Sequence, residues 1–301
     1  MVSTFTPNIQ LEEPARGDDV GTWDTPVNNN STLLDLICGA ITTIGLNNAN
    51  VTLSAAQFKS KQLTFNSTLT GSVTITFPTS FIKSYEIQNL CSGSSAFIIT
   101  LATTVAGGQV ICCPPGETID CFNDGSNIKF KNFGRVGSYW DFAGSSVPAW
   151  VSGCTIPPYL NCDGTAFSSA TYPQLAVQLG GTTLPDSRGR FRLTLNQGTG
   201  RVTTGNGGMD GNTFLAGGGA PNQTLITANL PAYTPSGSIV ASAPGSVFNG
   251  GGGVGTAGGG SAITGIAITA NFTGNAQGGT SQAILIVNPA YSGGITMIRS
   301  A

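Results

Sequence analysis

The chain has 301 residues, of which 40% are hydrophobic and only 9% are charged, with a formal net charge of -2 at neutral pH. That length exceeds the usual size of one domain and predicts two or more units. The near-neutral balance gives no electrostatic basis for binding nucleic acid or anionic lipid, so we predict neither partner. No apolar run is long enough to span a bilayer, and the first residues lack an export signal, which predicts a protein made in the cytoplasm without membrane insertion.

Residues 1–30 are polar, contain three prolines and predict an extended arm that needs a partner surface. The following "STLLDLICGAITTIG" places Thr32 and Asp35 in the arrangement typical of a helix start. We therefore predict one short amphipathic helix that packs against copies of itself or against a docking protein. Its apolar face would comprise Leu33, Ile37, Ala40, Ile41 and Ile44.

From about residue 50 the apolar residues alternate with a period of two. In "QLTFNSTLTGSVTITF" they all fall at odd positions, which puts them on one face of strands. The stretch "NDGSN" predicts a hairpin turn between Phe122 and Ile128. These features predict a small antiparallel β-sandwich. The aligned apolar residues are Leu63, Phe65, Leu69, Val73, Ile75 and Phe77.

The remaining sequence divides by composition. Residues 146–200 are rich in turns around one predicted helix, "SSATYPQLAVQLG", which ends at Gly180. Beyond residue 200 glycine dominates, most densely in "PGSVFNGGGGVGTAGGG". The segments "SAITGIAITANF" and "AILIV" have strand character, so we predict a glycine-rich β tip with long loops.

Chemistry at a catalytic site would be constrained, because the chain has 7 cysteines, no paired CxxC spacing and no histidine. We predict no metal and no cofactor, since zinc would need sulfur and carboxylate ligands alone. Buried, reduced thiols are the expected state of the cysteines. A general acid or base would have to come from carboxylate pairs. The candidate pairs are Asp18 with Asp19, Asp120 with Asp124, and Asp163 with Asp186.

The pair Asp163 and Asp186 raises the possibility of glycoside cleavage, which needs two carboxylates at a fixed separation. Both residues lie in turn-forming contexts, "CDG" and "PDSRG". Asp186 also lies two and four residues before Arg188 and Arg190. A structural ion pair with one of these arginines explains the motif with fewer assumptions than catalysis does.

The middle segment, "VPAWVSGCTIPPYLNCDGTAFSSATYPQLAVQLGGTTLPDSRGRF", resembles the phage tail collar domain. The resemblance lies in a "CDG" turn, a "Ser/Thr-x-x-Tyr-Pro-x-Leu" helix and "LPDxRGRF", in that order. It implies that these residues have a structural role and that the protein is not an enzyme. The residues of this collar motif are Asp163, Gly164, Tyr172, Pro173, Leu184, Asp186, Arg188, Gly189, Arg190 and Phe191.

The amino end resembles the start of phage tail fibres, where a "W-x-x-x-V-N-x-N" pattern precedes a short helix. Trp23, Val27, Asn28 and Asn30 match it and are implied to attach the protein to the virion. The implied partners are a tail adaptor, nozzle or baseplate protein, and two further copies of the chain. The resemblance thus implies a virion protein of the phage tail, assembled as a homotrimer.

Members of the collar family often carry a His-x-His pair that can bind metal, but Tyr233 and Pro235 stand at the matching positions here. Metal-assisted trimerisation is therefore not implied. Between Gly211 and Ile298 there is no acidic or basic side chain. Aromatic and amide groups in glycine loops suit a host cell-surface glycan or protein. We take Tyr233, Phe248 and Asn249 as candidate receptor-binding residues.

The expected fold is mainly β, in an elongated homotrimer. The predicted domains are an attachment arm and short helix at 1–45, a β-sandwich spacer at 46–137, a tail-collar-like domain at 146–200 and a glycine-rich distal domain at 201–301. The expected function is a tail fibre that binds the tail by its N-terminus and a receptor by its C-terminal region. A capsid-attached head fibre or decoration protein, and less favourably a polysaccharide depolymerase, are the alternatives.

Overall fold

The computed structural model describes residues 3–17, 19–204, 209–218, 222–224, 283–285 and 294–301. The chain divides into two compact units, one formed by Met1–Thr194 with Tyr291–Ala301 and the other by Leu195–Ala290. Strands in several sheets predominate over helices in the described residues, so the prediction of a mainly β fold is confirmed.

The first unit begins with β1 (Thr4–Phe5) and β2 (Glu12–Glu13), which pair antiparallel, followed by α1 (Asp24–Gly39). The arm is therefore not simply extended. The Asn30 side chain accepts a hydrogen bond of 2.9 Å from the Glu12 N–H and donates one of 3.0 Å to the Glu12 carbonyl. This pair of bonds fastens β2 to the helix.

The position of α1 corrects the predicted helix in two ways. It begins at Asp24 instead of near Thr32, because Pro26 lies in the first helical turn, where a missing N–H leaves no helical bond unmade. It ends at Gly39, and Ile41 and Ile44 belong to the next strand, β3 (Ile41–Gly45). The predicted five-residue apolar face therefore does not exist as one helical stripe.

Residues 41–130, which we call the solenoid, contain the strands of two main sheets and one helix. In chain order after β3 these elements are β4 (Val51–Thr52), α2 (Ala55–Lys59), β5 (Gln62–Asn66), β6 (Thr68–Leu69), β7 (Val73–Phe77), β8 (Lys83–Asn89), β9 (Ser92–Gly93), β10 (Ile99–Thr103), β11 (Ile111–Cys113), β12 (Thr118–Asn123) and β13 (Ile128–Phe130).

The prediction of an antiparallel sandwich is wrong in its strand pairing. One sheet has the order β13-β12-β8-β5-β3 and the other β11-β10-β7-β4. The pairs β3 with β5, β5 with β8, β4 with β7, and β7 with β10 are all parallel, as is the short pair β6 with β9. From β3 to β10 the chain passes repeatedly between these two sheets and the short β6-β9 pair, so it winds in stacked coils. Antiparallel pairing is confined to the last strands, where β12 and β13 form the predicted hairpin.

The core of the solenoid is the apolar face predicted from the period of two. Leu63, Phe65, Ile75 and Phe77 are fully buried, and residues of both sheets form one cluster with them. At the turns, asparagine side chains join consecutive coils: Asn50 accepts a hydrogen bond of 2.8 Å from the Thr74 N–H. The coils thus interlock through both apolar packing and side-chain bonds to backbone.

A second sheet system follows, composed of β14 (Tyr139–Phe142), α3 (Ala149–Ser152), β15 (Tyr159–Asn161), α4 (Pro173–Leu179) and the terminal β18 (Ile295–Arg299). The strand order is β14-β18-β15, and both pairings are antiparallel. The central strand therefore comes from the end of the sequence. This corrects the assignment of the whole of 201–301 to a distal domain, because residues 295–299 complete a sheet of the first unit.

In the second unit, the described residues include β16 (Asn222–Thr224) and β17 (Ala283–Leu285), which pair antiparallel. Asn196 is buried, and its side chain bonds both the N–H and the carbonyl of Val202. Its own N–H donates to the Gly211 carbonyl at 2.8 Å.

Candidate functional site

The "CDG" motif forms a tight turn. The Asp163 carboxylate accepts bonds from the Thr165 hydroxyl at 2.7 Å and the Thr165 N–H at 3.0 Å. Gly164 has a φ of +81°, which disfavours a side chain there. Hydrogen bonds from Thr165 are the main cause that lowers the pKa of Asp163 below its usual value.

The "PDSRG" motif is joined to this turn, because Asp163 and Asp186 face each other in an isolated antiparallel bridge. Asp186 forms the predicted ion pair with an arginine: Arg188 Nε lies 2.9 Å from one carboxylate oxygen, and Arg188 Nη2 lies 3.2 Å from the other. The Arg188 side chain is 68% exposed, so the pair lies at the surface. Hydrogen bonds from Arg188 lower the pKa of Asp186 to about 2.

The electrostatics of these two carboxylates do not favour acid catalysis. A glycosidase needs one carboxyl group whose pKa is raised, so that it can donate a proton near neutral pH. Here hydrogen bonds lower the pKa of both Asp163 and Asp186. Asp124 of the other described pair accepts bonds from the Ser126 and Asn127 N–H groups and from Lys129, whose Nζ lies 2.8 Å away, and its pKa is also lowered. Asp18 of the first pair lies outside the described residues.

The helix between the two turns packs the segment together. Pro173 occupies the start of α4, where its fixed φ suits helix entry, and Gly180 ends the helix in the left-handed conformation with φ +67°. Tyr172 and Leu184 are buried on either side of the helix. They belong to one cluster, which consists of Cys162, Tyr172, Leu175, Leu179, Leu184 and Ile298.

Residues 138–192 match the family model of the Phage Tail Collar Domain. The chain carries a phage tail collar domain. No curated protein and no solved structure matches the chain significantly. We use "collar domain" below for residues 138–192, and the family is that of a structural component of phage tails.

The collar domain includes contacts that sequence reasoning did not find. Arg192 Nη2 lies 2.7 Å from Asp141 Oδ2, although the two residues are far apart in sequence. The buried Arg299 of β18 donates a bond of 2.8 Å to the Pro158 carbonyl and lies over the Phe133 ring. The apolar residues Ile295, Met297 and Ile298 are a weak local signal for this five-residue strand, and so short a run does not reveal where a strand docks.

The other collar motif residues lie at the surface. Gly189 has a φ of +65° and completes the turn of "PDSRG". Arg190 is exposed and acts on Asp186 only through its charge. Phe191 is 80% exposed, which is unusual for so large an apolar side chain.

The candidate attachment residues lie at the start of α1. Trp23 precedes the helix and is 68% exposed, while Val27, one turn later, is 48% exposed. Asn28 is also exposed, whereas Asn30 is occupied by its bonds to Glu12. Leu34 continues the stripe of Trp23 and Val27 along the helix and is 44% exposed. These three apolar residues form an uncovered surface in the chain as described, which we call the α1 stripe.

The candidate receptor-binding residues, Tyr233, Phe248 and Asn249, lie outside the described residues. In the part of the chain that the structure describes, no helix is long and apolar enough to cross a membrane. Within that same part, carboxylate and thiol groups do not gather in sets of three that could hold a metal ion.

Proposed function

We propose that this chain is a tail fibre that joins the phage tail through residues 1–45 and contacts the host through residues 211–290. The main support for this proposal is the similarity of residues 138–192 to a domain of phage tails. The lowered pKa values of Asp163 and Asp186 argue against these two carboxylates as a glycosidase pair.

Attachment through the N-terminal region is supported by the α1 stripe. Exposed Trp, Val and Leu side chains on one helix face leave apolar area in water, and a partner that covers them gains the free energy of its burial. The pairing of β2 with α1 through Asn30 fixes the arm beside that stripe. The fitting partner is a tail adaptor, nozzle or baseplate protein with a complementary apolar groove.

The attachment test compares changes at exposed apolar residues of α1 with a change at an exposed valine of α4. We expect Val27→Ser combined with Trp23→Ala to give folded protein that no longer joins particles. Val177→Ser, which changes a valine 78% exposed on α4 of the collar domain, serves as the matched control and should be incorporated normally. Normal incorporation of the Trp23 and Val27 variant would reject the attachment proposal.

Assembly as a homotrimer is supported by exposed apolar side chains in the collar domain. Phe191 is 80% exposed, and Leu193, which directly follows the collar domain, is 62% exposed. Three copies around an axis would remove them from water. Light scattering of the purified protein should give three times the mass of 30.6 kDa, and a stable monomer at micromolar concentration would reject the trimer.

Host recognition through residues 211–290 rests on the chemistry of the sequence there. The region lacks acidic and basic side chains, so binding would use stacking and hydrogen bonds and should depend only weakly on salt. We expect Tyr233→Ala with Phe248→Ala to reduce adsorption of particles to host cells, while Val177→Ser leaves it unchanged. Full adsorption by the double variant would exclude these two rings from the recognition surface.

Electron microscopy can distinguish a fibre attached to the tail from one attached to the capsid. Gold-labelled antibody against the collar domain should decorate the tail of intact particles. Labelling confined to the capsid would instead support a head fibre.

A further inference from the structure

Two cysteines meet where the solenoid adjoins the collar domain. Cys112 lies in β11, an edge strand of the solenoid, and Cys154 follows α3 within the collar domain. The Cys112 N–H donates a hydrogen bond of 3.2 Å to Cys154 Sγ, and the Cys154 thiol donates one of 3.2 Å to the Trp150 carbonyl. Both residues are buried, at 0% and 5% exposure.

The strand geometry selects Cys112 over its neighbour Cys113. Successive side chains of a strand point to opposite faces. The Cys112 thiol accordingly faces Cys154 and the Thr100 hydroxyl, whereas the Cys113 thiol faces the Ile87 carbonyl in the other sheet. Only one of these two adjacent thiols is therefore placed to react with Cys154.

We propose that Cys112 and Cys154 form a disulfide once the protein leaves the reducing cytoplasm. This inference rests on the proposed function, because only a virion protein would be released from the reducing cytoplasm into oxidising surroundings. The bond would join the solenoid to the collar domain covalently and close the chain between the two cysteines into a loop.

The oxidant is a small-molecule disulfide. One protein thiolate attacks a sulfur of the reagent, which forms a mixed disulfide and releases one reagent thiolate. The second protein thiolate then attacks the protein sulfur of the mixed disulfide and releases the other reagent thiolate. The protein loses two protons and two electrons, and the reagent gains both pairs to become two thiols.

The local structure supports this exchange. Hydrogen bonding with Cys154 lowers the pKa of Cys112, which increases its thiolate fraction near neutral pH. Trp150 and Val151 of the adjacent α3 are buried in the same core cluster as Cys154, so the reagent reaches the pair only when α3 opens locally. We therefore expect oxidation of the folded protein to be slow.

The first test uses purified full-length protein incubated with oxidised glutathione. After unfolding without reductant, five of the seven cysteines should react with an alkylating reagent, and the mass should fall by about 2 Da before alkylation. Peptide mapping should join Cys112 to Cys154. Seven reactive cysteines, or a bond between another pair, would overturn the proposal.

Serine variants distinguish the effect of the disulfide on stability from the effect of losing a buried thiol. Oxidation should raise the melting temperature of the wild type by roughly 5 to 10 °C, because closing the loop restricts the unfolded chain. The shift should vanish in Cys112→Ser and in Cys154→Ser but persist in Cys113→Ser, a variant of the adjacent buried thiol. A shift retained in Cys112→Ser would contradict the proposal.

The second test asks whether the disulfide forms only after particles are released from the cell. Protein from released particles, alkylated at once on unfolding, should carry the disulfide, and protein from infected cells before lysis should not. Reduced thiols in released particles would overturn the proposed disulfide of the virion. Failure of the proposed function would look different, because the protein would then be missing from purified particles.

Discussion

The Thr296 hydroxyl donates a hydrogen bond of 2.7 Å to the Asp141 carboxylate, across 155 residues of chain. The same carboxylate pairs with Arg192, so it contacts both β18 and the residue that directly follows "LPDSRGRF". Asp141 thus joins three separate parts of the sequence at one edge of the collar domain.

Docking of the terminal strand should depend on Gly294. This glycine has a φ of +122°, and a Cβ there would collide with the Phe142 carbonyl. We expect Gly294→Ala to displace β18, lower the melting temperature and expose the collar domain to limited proteolysis. Gly181→Ala is the control, because a Cβ at Gly181 meets nothing within 4 Å. Equal protease resistance of both variants would contradict the role assigned to Gly294.

Within "LPDSRGRF", stability should come from Leu184 and not from the ion pair. Leu184 is 5% exposed in the collar cluster, and Leu184→Ala should lower the free energy of unfolding by roughly 3 kcal/mol. Asp186→Asn should leave it nearly unchanged, because surface pairs such as Asp186 with Arg188 are weakened by water. Chemical denaturation measures the free energy of unfolding of both variants. A larger loss in Asp186→Asn than in Leu184→Ala would show that the ion pair stabilises the turn.

Asn123 should be among the polar residues on which the solenoid depends most. It is fully buried, its amide nitrogen donates to the Pro78 and Phe81 carbonyls, and its oxygen accepts from the Gly125 N–H. Asn123→Ala leaves these buried groups without partners and should lower the free energy of unfolding by roughly 3 kcal/mol. The exposed Asn66 provides the control, since Asn66→Ala removes no such bonds. A similar small effect of both changes would refute this assignment.

Lys83 should make the free energy of unfolding depend on pH in the alkaline range. Burial lowers the pKa of its ammonium group from 10.5 to about 8, although Nζ donates to the Lys59 and Ser60 carbonyls. The folded state therefore releases this proton at lower pH than the unfolded state, so the contribution of Lys83 to stability rises between about pH 8 and pH 10.5.

Comparison with Lys83→Met isolates that contribution. The free energy of unfolding of the wild type relative to the variant should increase as the pH is raised from 8 to 10. The wild type must be compared with the variant because other groups titrate in the same range. Burial raises the pKa of Tyr85 and of Cys121, and both of these groups reduce stability as the pH rises. A pH-independent difference between wild type and variant would mean that Lys83 is not titrating in this range.

Local features of the sequence predicted part of this structure. The odd-numbered apolar residues of the solenoid are buried as expected, because a period of two is written into each strand separately. The pairing of Asp186 with Arg188 was likewise predictable, since the two residues are two positions apart. The hairpin at "NDGSN" follows from its turn residues alone.

Non-local contacts decided the rest. Parallel pairing of β5 with β8 depends on where each coil returns, which no residue of either strand specifies alone. The contact of Cys112 with Cys154 spans 42 residues and leaves no local pattern. The sequence predicts too late a start for α1, because a proline such as Pro26 is as typical of an extended arm as of the first turn of a helix.

The central position of β18 decides when the collar sheet can form during synthesis. The solenoid has all of its strands before residue 131 and can form its core while the ribosome is still working. The collar sheet must wait for Ile295–Arg299, and a chain that stops earlier leaves the edges of both β14 and β15 unpaired. Chains that lack residues 295–299 would therefore present two open strand edges to chaperones and proteases, and only chains that include β18 would supply a fully paired sheet for assembly.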